Sequence, residues 1–150
     1  MNTKLVSSIE ATTKLRLATT STDTILQDVA KLLTGTQVSL VVVCTATGAM
    51  AGVITKTILV QHIAQPSTIG ANSRAKDVMN TEVVSCRPDD DLTQVLTMMK
   101  ARHLVHIPVL DAKGVPLGVI NAHDALGAML KDEKYEEALL RDYVLGVGYQ

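Results

Sequence analysis

The sequence predicts a mixed α/β fold of the α+β kind. Two β-α-β-β-α repeats pack by pseudo-twofold symmetry, and a short C-terminal helix follows. Three observations predict it. The chain repeats itself: a shift of 66 residues lays VVVCTATGAMAGVI on IPVLDAKGVPLGVI without a gap, with Gly48 on Gly114 and Gly52, Val53 and Ile54 on Gly118, Val119 and Ile120. A repeat of this length is a whole supersecondary unit. Within each copy, apolar spacing passes from helical in the Asp23, Leu26, Val29 and Asp89, Leu92, Val95 stretches to short continuous runs. A glycine-bearing turn then divides each pair of runs.

In the first copy, Leu15 to Leu17 reads as the opening strand. Thr22 and Asp23 open a helix carrying Ile25, Leu26, Val29, Leu32 and Leu33, and Gly35 ends it. Val38 to Cys44 is a strand so apolar that both faces should be covered. Gly48 turns the chain, Gly52 to Thr55 returns, and Ile58 to Ile63 is helical. In the second copy, Val83 and Val84 form the opening strand. Pro88 to Asp91 starts a helix, where proline and acidic residues suit the first turn. Leu92, Val95, Leu96 and Met99 give that helix one apolar face. VHIPVL is a strand, AKG turns, LGVIN returns, and a second helix runs from Asp124 with Leu126, Met129 and Leu130.

The turn-rich QPSTIGANS separates the copies. The expected division is therefore a first repeat over 6–66, a linker over 67–75, a second repeat over 76–131, and a C-terminal helix and tail over 132–150. That last helix is amphipathic, with Tyr135, Ala138, Leu139 and Tyr143 on one side. Packing on its own domain and contact between subunits both remain open for it. Two similar units that pack face to face make the cleft between them the natural place for a site.

The 150 residues are 47% hydrophobic, enough for a buried core, and the net charge is −1 with scattered Lys and Arg. No basic stripe suggests nucleic-acid binding. Phe and Trp are absent and the three tyrosines (Tyr135, Tyr143, Tyr149) all lie near the C-terminus, so base-stacking platforms are missing from the repeated body. Two cysteines, Cys44 and Cys86, make no disulfide framework. No segment has the length of a membrane span or the pattern of a signal peptide, so the expected setting is cytoplasmic and without membrane contact. No phosphate-cradling GxxxxGK[ST], GxSxG elbow or HExxH occurs, and the chain is read as no enzyme. His103 and His106 lack partners at metal-ligand spacing, so no metal is expected.

HIPVLDAKGVPLGVINAHD and AKDVMNTEVVSCRPDDDL carry a resemblance to a known family. The repeat resembles a tandem pair of cystathionine-β-synthase (CBS) domains, a Bateman module, over about residues 6–130. The C-terminal RDYV is similar to the ending of small stand-alone bacterial pairs. The resemblance implies a non-catalytic sensor of an adenosine-containing ligand, an AMP-like nucleotide or S-adenosylmethionine, with no resident cofactor. It also implies a homodimer that acts on a regulated protein partner.

The same resemblance assigns the site. Asp124 holds the position that binds the ribose hydroxyls: a vicinal diol offers two donors and a carboxylate two acceptor oxygens. Capping of the second helix is the other reading of Asp124, and both can hold together. Asn121 stands where Ser or Thr is usual and keeps a donor for phosphate. The purine is expected near Ile120, Thr12, Thr13, Leu15 and Val38. His106 and His123 stand where groups approach phosphate, with solvated or core-edge histidines as the alternative. Val105 replaces a common arginine, which disfavours highly charged ligands such as ATP. In the first copy Thr55 keeps the hydroxyl, but Ile58 replaces the ribose Asp and accepts no hydrogen bond. One lost bond to a charged group costs about 1.5–3 kcal/mol, roughly ten- to a hundredfold in affinity. The expectation is one competent site around Asp124 and a degenerate one beside Ile58. A ligand-free dimeric interaction scaffold with vestigial clefts is the competing reading, and a redox role for Cys86 a third.

Overall fold

The computed structural model describes residues 3–65 and 73–131. The expected C-terminal helix and most of the linker lie outside them. A 3-10 turn, Val6–Ile9, leads into helix α1 (Glu10–Leu15). Strand β1 (Ala18–Ser21), helix α2 (Leu26–Leu32), strands β2 (Leu40–Cys44) and β3 (Met50–Thr55) and helix α3 (Lys56–Ile63) complete the first repeat. The second has α4 (Ala75–Val78), α5 (Leu92–Ala101), β4 (His106–Leu110), β5 (Pro116–Asn121) and α6 (Ala122–Leu130).

The sheets repeat as closely as the sequence does. β1 pairs parallel with β2, and β2 antiparallel with β3. β4 pairs antiparallel with β5. Both hairpins carry an irregularity at the same repeat position, Val43/Cys44 and Val109/Leu110. Both turn on a glycine at positive φ, 89° at Gly48 and 81° at Gly114, a conformation that side chains disfavour.

Two strand expectations are corrected. The opening strand of the first repeat is Ala18–Ser21, three residues beyond Leu15 to Leu17, because Leu15 still belongs to α1 and is exposed. Val6, Ile9 and Thr13 are the buried positions of that segment, a spacing that suits a helical face and not a strand. Val83 and Val84 form no strand. The second repeat has instead a single bridge from Cys86 to Val109, the repeat equivalent of Thr20 to Val43. Cys86 N donates to Pro108 O (3.1 Å) and Leu110 N to Cys86 O (2.9 Å).

The acidic stretch Pro88 to Asp91 lies outside α5 and caps it: Asp91 Oδ1 accepts from Thr93 N (2.8 Å) and Gln94 N (3.2 Å). Likewise α2 begins at Leu26, beyond Thr22 and Asp23. α5 ends through His103 at φ 56°, and Leu104 N donates to Met99 O (2.8 Å), closing the helix in the Schellman manner.

Three apolar clusters hold the molecule. β2 is buried on both faces, as its composition predicts: Val41 and Val43 join Val29, Leu33, Ile54 and Leu59 on the helix side. Leu40 and Val42 face the other way, with Val53 and Val119, and this cluster joins the two repeats. The third cluster fills the second repeat with Leu92, Val95, Met99, Ile107 and Ile120.

The leading segments are exchanged. Val6 and Ile9, at the start of the chain, belong to the second repeat's core, and Ala75 and Met79 pack in the first repeat's core. Backbone bonds repeat the exchange. Val6 N donates to Asp90 O, Ser7 N to Pro88 O and Leu92 N to Lys4 O. Ala75 N donates to Thr24 O, Lys76 N to Thr22 O and Leu26 N to Ser73 O. Burial of a Val or Ile contributes about 1.5–3 kcal/mol, so these short segments are held by the opposite repeat and not by their own helix propensity. Close approach needs glycine at both crossings. A Cβ on Gly118 would lie 2.5 Å from Thr13 Oγ1, and one on Gly52, its repeat equivalent, 2.7 Å from Asn80 O.

Candidate functional site: the start of α6

Asn121 ends β5 and caps α6. Its Oδ1 accepts from His123 N (2.8 Å) and Asp124 N (3.1 Å), and the side chain is buried. With Oδ1 committed, the amide Nδ2 faces His106 Nε2 at 3.0 Å and donates to it. The imidazole therefore carries its proton on Nδ1, an assignment made from this network. Burial pushes the His106 pKa down, and the Arg16 guanidinium acts in the same direction.

Asp124 stands in the first turn of α6, where the helix dipole favours a carboxylate. Its oxygens are taken by Arg16: Nε donates to Oδ2 at 2.5 Å and Nη2 to Oδ1 at 3.1 Å. Arg16 Nη1 reaches Gln37 O at 3.3 Å. The pair is partly sheltered, with 24% of the arginine and 19% of the aspartate side chain exposed. The hydrogen bond to Asp124 holds the Arg16 pKa above its ordinary value. Arg16 sits directly after α1, so the exchange that docks α1 on β5 also delivers a first-repeat cation to a second-repeat acid.

The sequence-predicted residues divide. Asp124, Asn121, His106 and His123 come together, and His123 is exposed. Ile120 has its side chain fully buried in the second repeat's core, because odd and even positions of β5 face opposite ways. Thr13 is buried, with Oγ1 donating to Glu10 O (3.2 Å) and its side chain against Gly118, so its hydroxyl proton is already committed. Thr12 and Leu15 are exposed on α1, and Val38 packs against the first repeat's core. In the first repeat Thr55 caps α3, its Oγ1 accepting from Ile58 N at 3.2 Å. Ile58 lines an open hollow of about 500 Å³ with Gln61, His62, Asp77 and Val78; Gln65 and Ser73 at its rim adjoin the undescribed segment.

Sequence reading missed Arg16. A signal was present: the shift of 66 lays Arg16 on Glu82 and Asp124 on Ile58, so both charges differ between the copies together. Cys86 is buried and its thiol is pushed up to about 12, by burial and then by Asp90, which withholds the thiolate that redox chemistry needs. Among the described residues, no three His, Cys, Asp or Glu side chains are placed to hold a metal ion, and no helix is long and apolar enough to cross a membrane.

Comparison with curated proteins finds no match. The family profile of the CBS domain matches residues 75–131. Among solved structures, CBSX2 in complex with AMP superposes with a TM-score of 0.72 at 20% identity, over 85% of this chain and 96% of that one. The CBS domain pair of protein MJ0100, in complex with 5'-methylthioadenosine and S-adenosyl-L-methionine, gives 0.69 at 19% identity, over 82% and 93%. The cytosolic domain of the Mg2+ channel MgtE in complex with ATP gives 0.63 at 20%, and there the match covers 75% of this chain but 45% of the other. Residues 75–131 thus match the CBS-domain family, and the chain as a whole has the fold of CBS domain pairs.

Proposed function

We propose that the protein is a non-catalytic regulatory module that binds an adenosine-containing ligand in the cleft around Asp124. The observation that carries the reading is the meeting of Arg16 and Asp124 across the repeat boundary at the start of α6. A carboxylate and a guanidinium side by side match the two polar parts of a nucleotide, its diol and its phosphate. Relatives in fold were solved with AMP and with S-adenosylmethionine, which supports the ligand class. The module would work as a cytoplasmic homodimer acting on a protein partner. The exposed Val60 and Ile63 on α3 supply an apolar face for a second copy.

Thermal unfolding with AMP, ADP, ATP, S-adenosylmethionine and NADH tests the proposal. A ligand at a hundred times its Kd stabilises by about 2.7 kcal/mol, a rise of roughly 5–11 °C in a domain of this size. Asp124→Ala removes that rise and Thr55→Ala keeps it. No rise with any of the five at concentrations on the order of millimolar overturns the reading.

A second reading has its own observation. Arg16 already fills Asp124, and Asn121 spends its whole amide on the cap and on His106. A ligand-free scaffold would look the same. Under that reading Asp124→Ala leaves partner binding unchanged.

A further inference from the structure

The carboxylate proposed to hold a sugar is occupied by the protein's own side chain. Among the described residues, Arg16 makes every hydrogen bond that the Asp124 oxygens accept. An incoming diol needs those same oxygens. A neutral nucleoside would break two charge-assisted bonds and leave the guanidinium partly sheltered, with only the Gln37 carbonyl at 3.3 Å. A ligand that carries an anionic group beside its diol avoids that loss. The diol takes the carboxylate while the phosphate takes the guanidinium, whose planar fork fits phosphate as well as carboxylate. His106 gives no alternative cation. Its Nε2 accepts from Asn121, and burial disfavours its charged form. His123, exposed at the rim, is not fixed by a partner in the way Arg16 is.

We infer that Arg16 is the specificity-determining residue of this cleft: it excludes nucleosides without an anionic group and admits those bearing phosphate together with a free cis-diol. This rests on the proposed function and narrows it, separating an AMP-like nucleotide from adenosine. The internal comparison points the same way. The first repeat, which has Ile58 in place of the acid, carries Glu82 and not a cation at the position matching Arg16. The guanidinium accompanies the carboxylate it guards.

Isothermal titration of AMP and adenosine into the wild type, Arg16→Ala and Arg16→Lys tests the inference, with circular dichroism confirming that each variant is folded. The wild type is expected to bind AMP roughly tenfold or more tighter than adenosine. Arg16→Ala frees the carboxylate. Adenosine then binds more tightly than it does to the wild type, AMP loses affinity, and the preference shrinks to about threefold or less. Arg16→Lys keeps a charge without the fork and falls between. Equal wild-type affinities for AMP and adenosine, a comparison that needs no variant, overturn the inference but leave the cleft reading standing. So does an AMP preference that survives Arg16→Ala unchanged. Failure of every ligand to bind both wild type and Arg16→Ala overturns the cleft reading and this inference with it.

Discussion

Gly118→Ala is the sharpest probe of the exchanged architecture. The added methyl carbon would lie 2.5 Å from Thr13 Oγ1, 2.8 Å from Thr13 Cβ and 2.9 Å from the Thr13 carbonyl carbon. The last atom is backbone, so rotating the threonine gives no escape, and α1 itself must lift from β5. Overpacking of this kind costs about 1–3 kcal/mol. For a domain of this size each kcal/mol lowers Tm by about 2–4 °C, so a loss near 2 kcal/mol is a fall of roughly 4–8 °C. Gly127→Ala is the internal control. It lies within α6 with nothing inside 4 Å of its would-be Cβ, so alanine there should gain about 0.5–1 kcal/mol from helix propensity. Calorimetric melts of the two variants should move in opposite directions. The double variant Thr13→Gly, Gly118→Ala should be less destabilised than the sum of its parts, because the shared contact is relieved once. Parallel shifts of the two alanine variants, or strict additivity in the cycle, would refute the claim that α1 is held against β5 by the absence of a side chain.

Three further outcomes follow from single residues. His103 ends α5 at φ 56°, a conformation that costs a side chain about 1–2 kcal/mol; His103→Gly should raise stability by about 0.5–1 kcal/mol after the entropy cost of glycine, and a loss in denaturant melts would show that the imidazole makes a contact worth more. Cys86, with its thiol pushed up to about 12, should stay unmodified by iodoacetamide at neutral pH while the partly exposed Cys44 reacts; rapid Cys86 labelling in the folded protein contradicts its burial. His106, whose pKa burial holds below the ordinary histidine value, makes the unfolded chain take up a proton first as pH drops, so its stabilising effect is complete above about 6.5 and declines below it toward the lowered folded value. Of its surroundings, Arg16 and His123 reinforce that direction and Asp124 opposes it. Melts between pH 7 and 5 should fall less steeply in His106→Leu, and coincident slopes would remove His106 as the cause.

The hairpins were legible because their determinants are local. Gly48 and Gly114 set the turns, and the apolar runs on either side needed only a face to bury. The leading segments were not legible, for a physical reason. What holds Val6 and Ile9 is the second repeat, and the backbone partners of residues 4–7 lie at 88–92. A six-residue helix has too little intrinsic stability to announce itself. The repeat also loses its register there: Val6 corresponds to Ala75 by its bonds, a shift of 69 and not 66, so the self-comparison that exposed the rest of the fold goes blind at its most informative joint.

The site shows the same division between what is local and what the exchange imports. Asp124 stood in a readable motif, and Asn121 as a helix cap needed only its neighbours. Arg16 is 108 residues from its partner in a polar stretch that singles nothing out. The pseudo-twofold frame still makes its role interpretable. By the repeat's register, position 82 stands to 58 as 16 stands to 124, yet one pair is arginine with aspartate and the other glutamate with isoleucine. An aspartate placed at 58 alone would have glutamate, not arginine, at the position matching 16, and so would lack the guanidinium that holds Asp124. The two differences therefore belong together: reproducing the Arg16–Asp124 contact in the first repeat requires changing both positions. A repeated backbone thus carries an Arg16–Asp124 ion pair at the start of α6 and a glutamate with an isoleucine at the matching positions of the first repeat, and the asymmetry resides in two pairs of side chains whose electrostatics make sense only together.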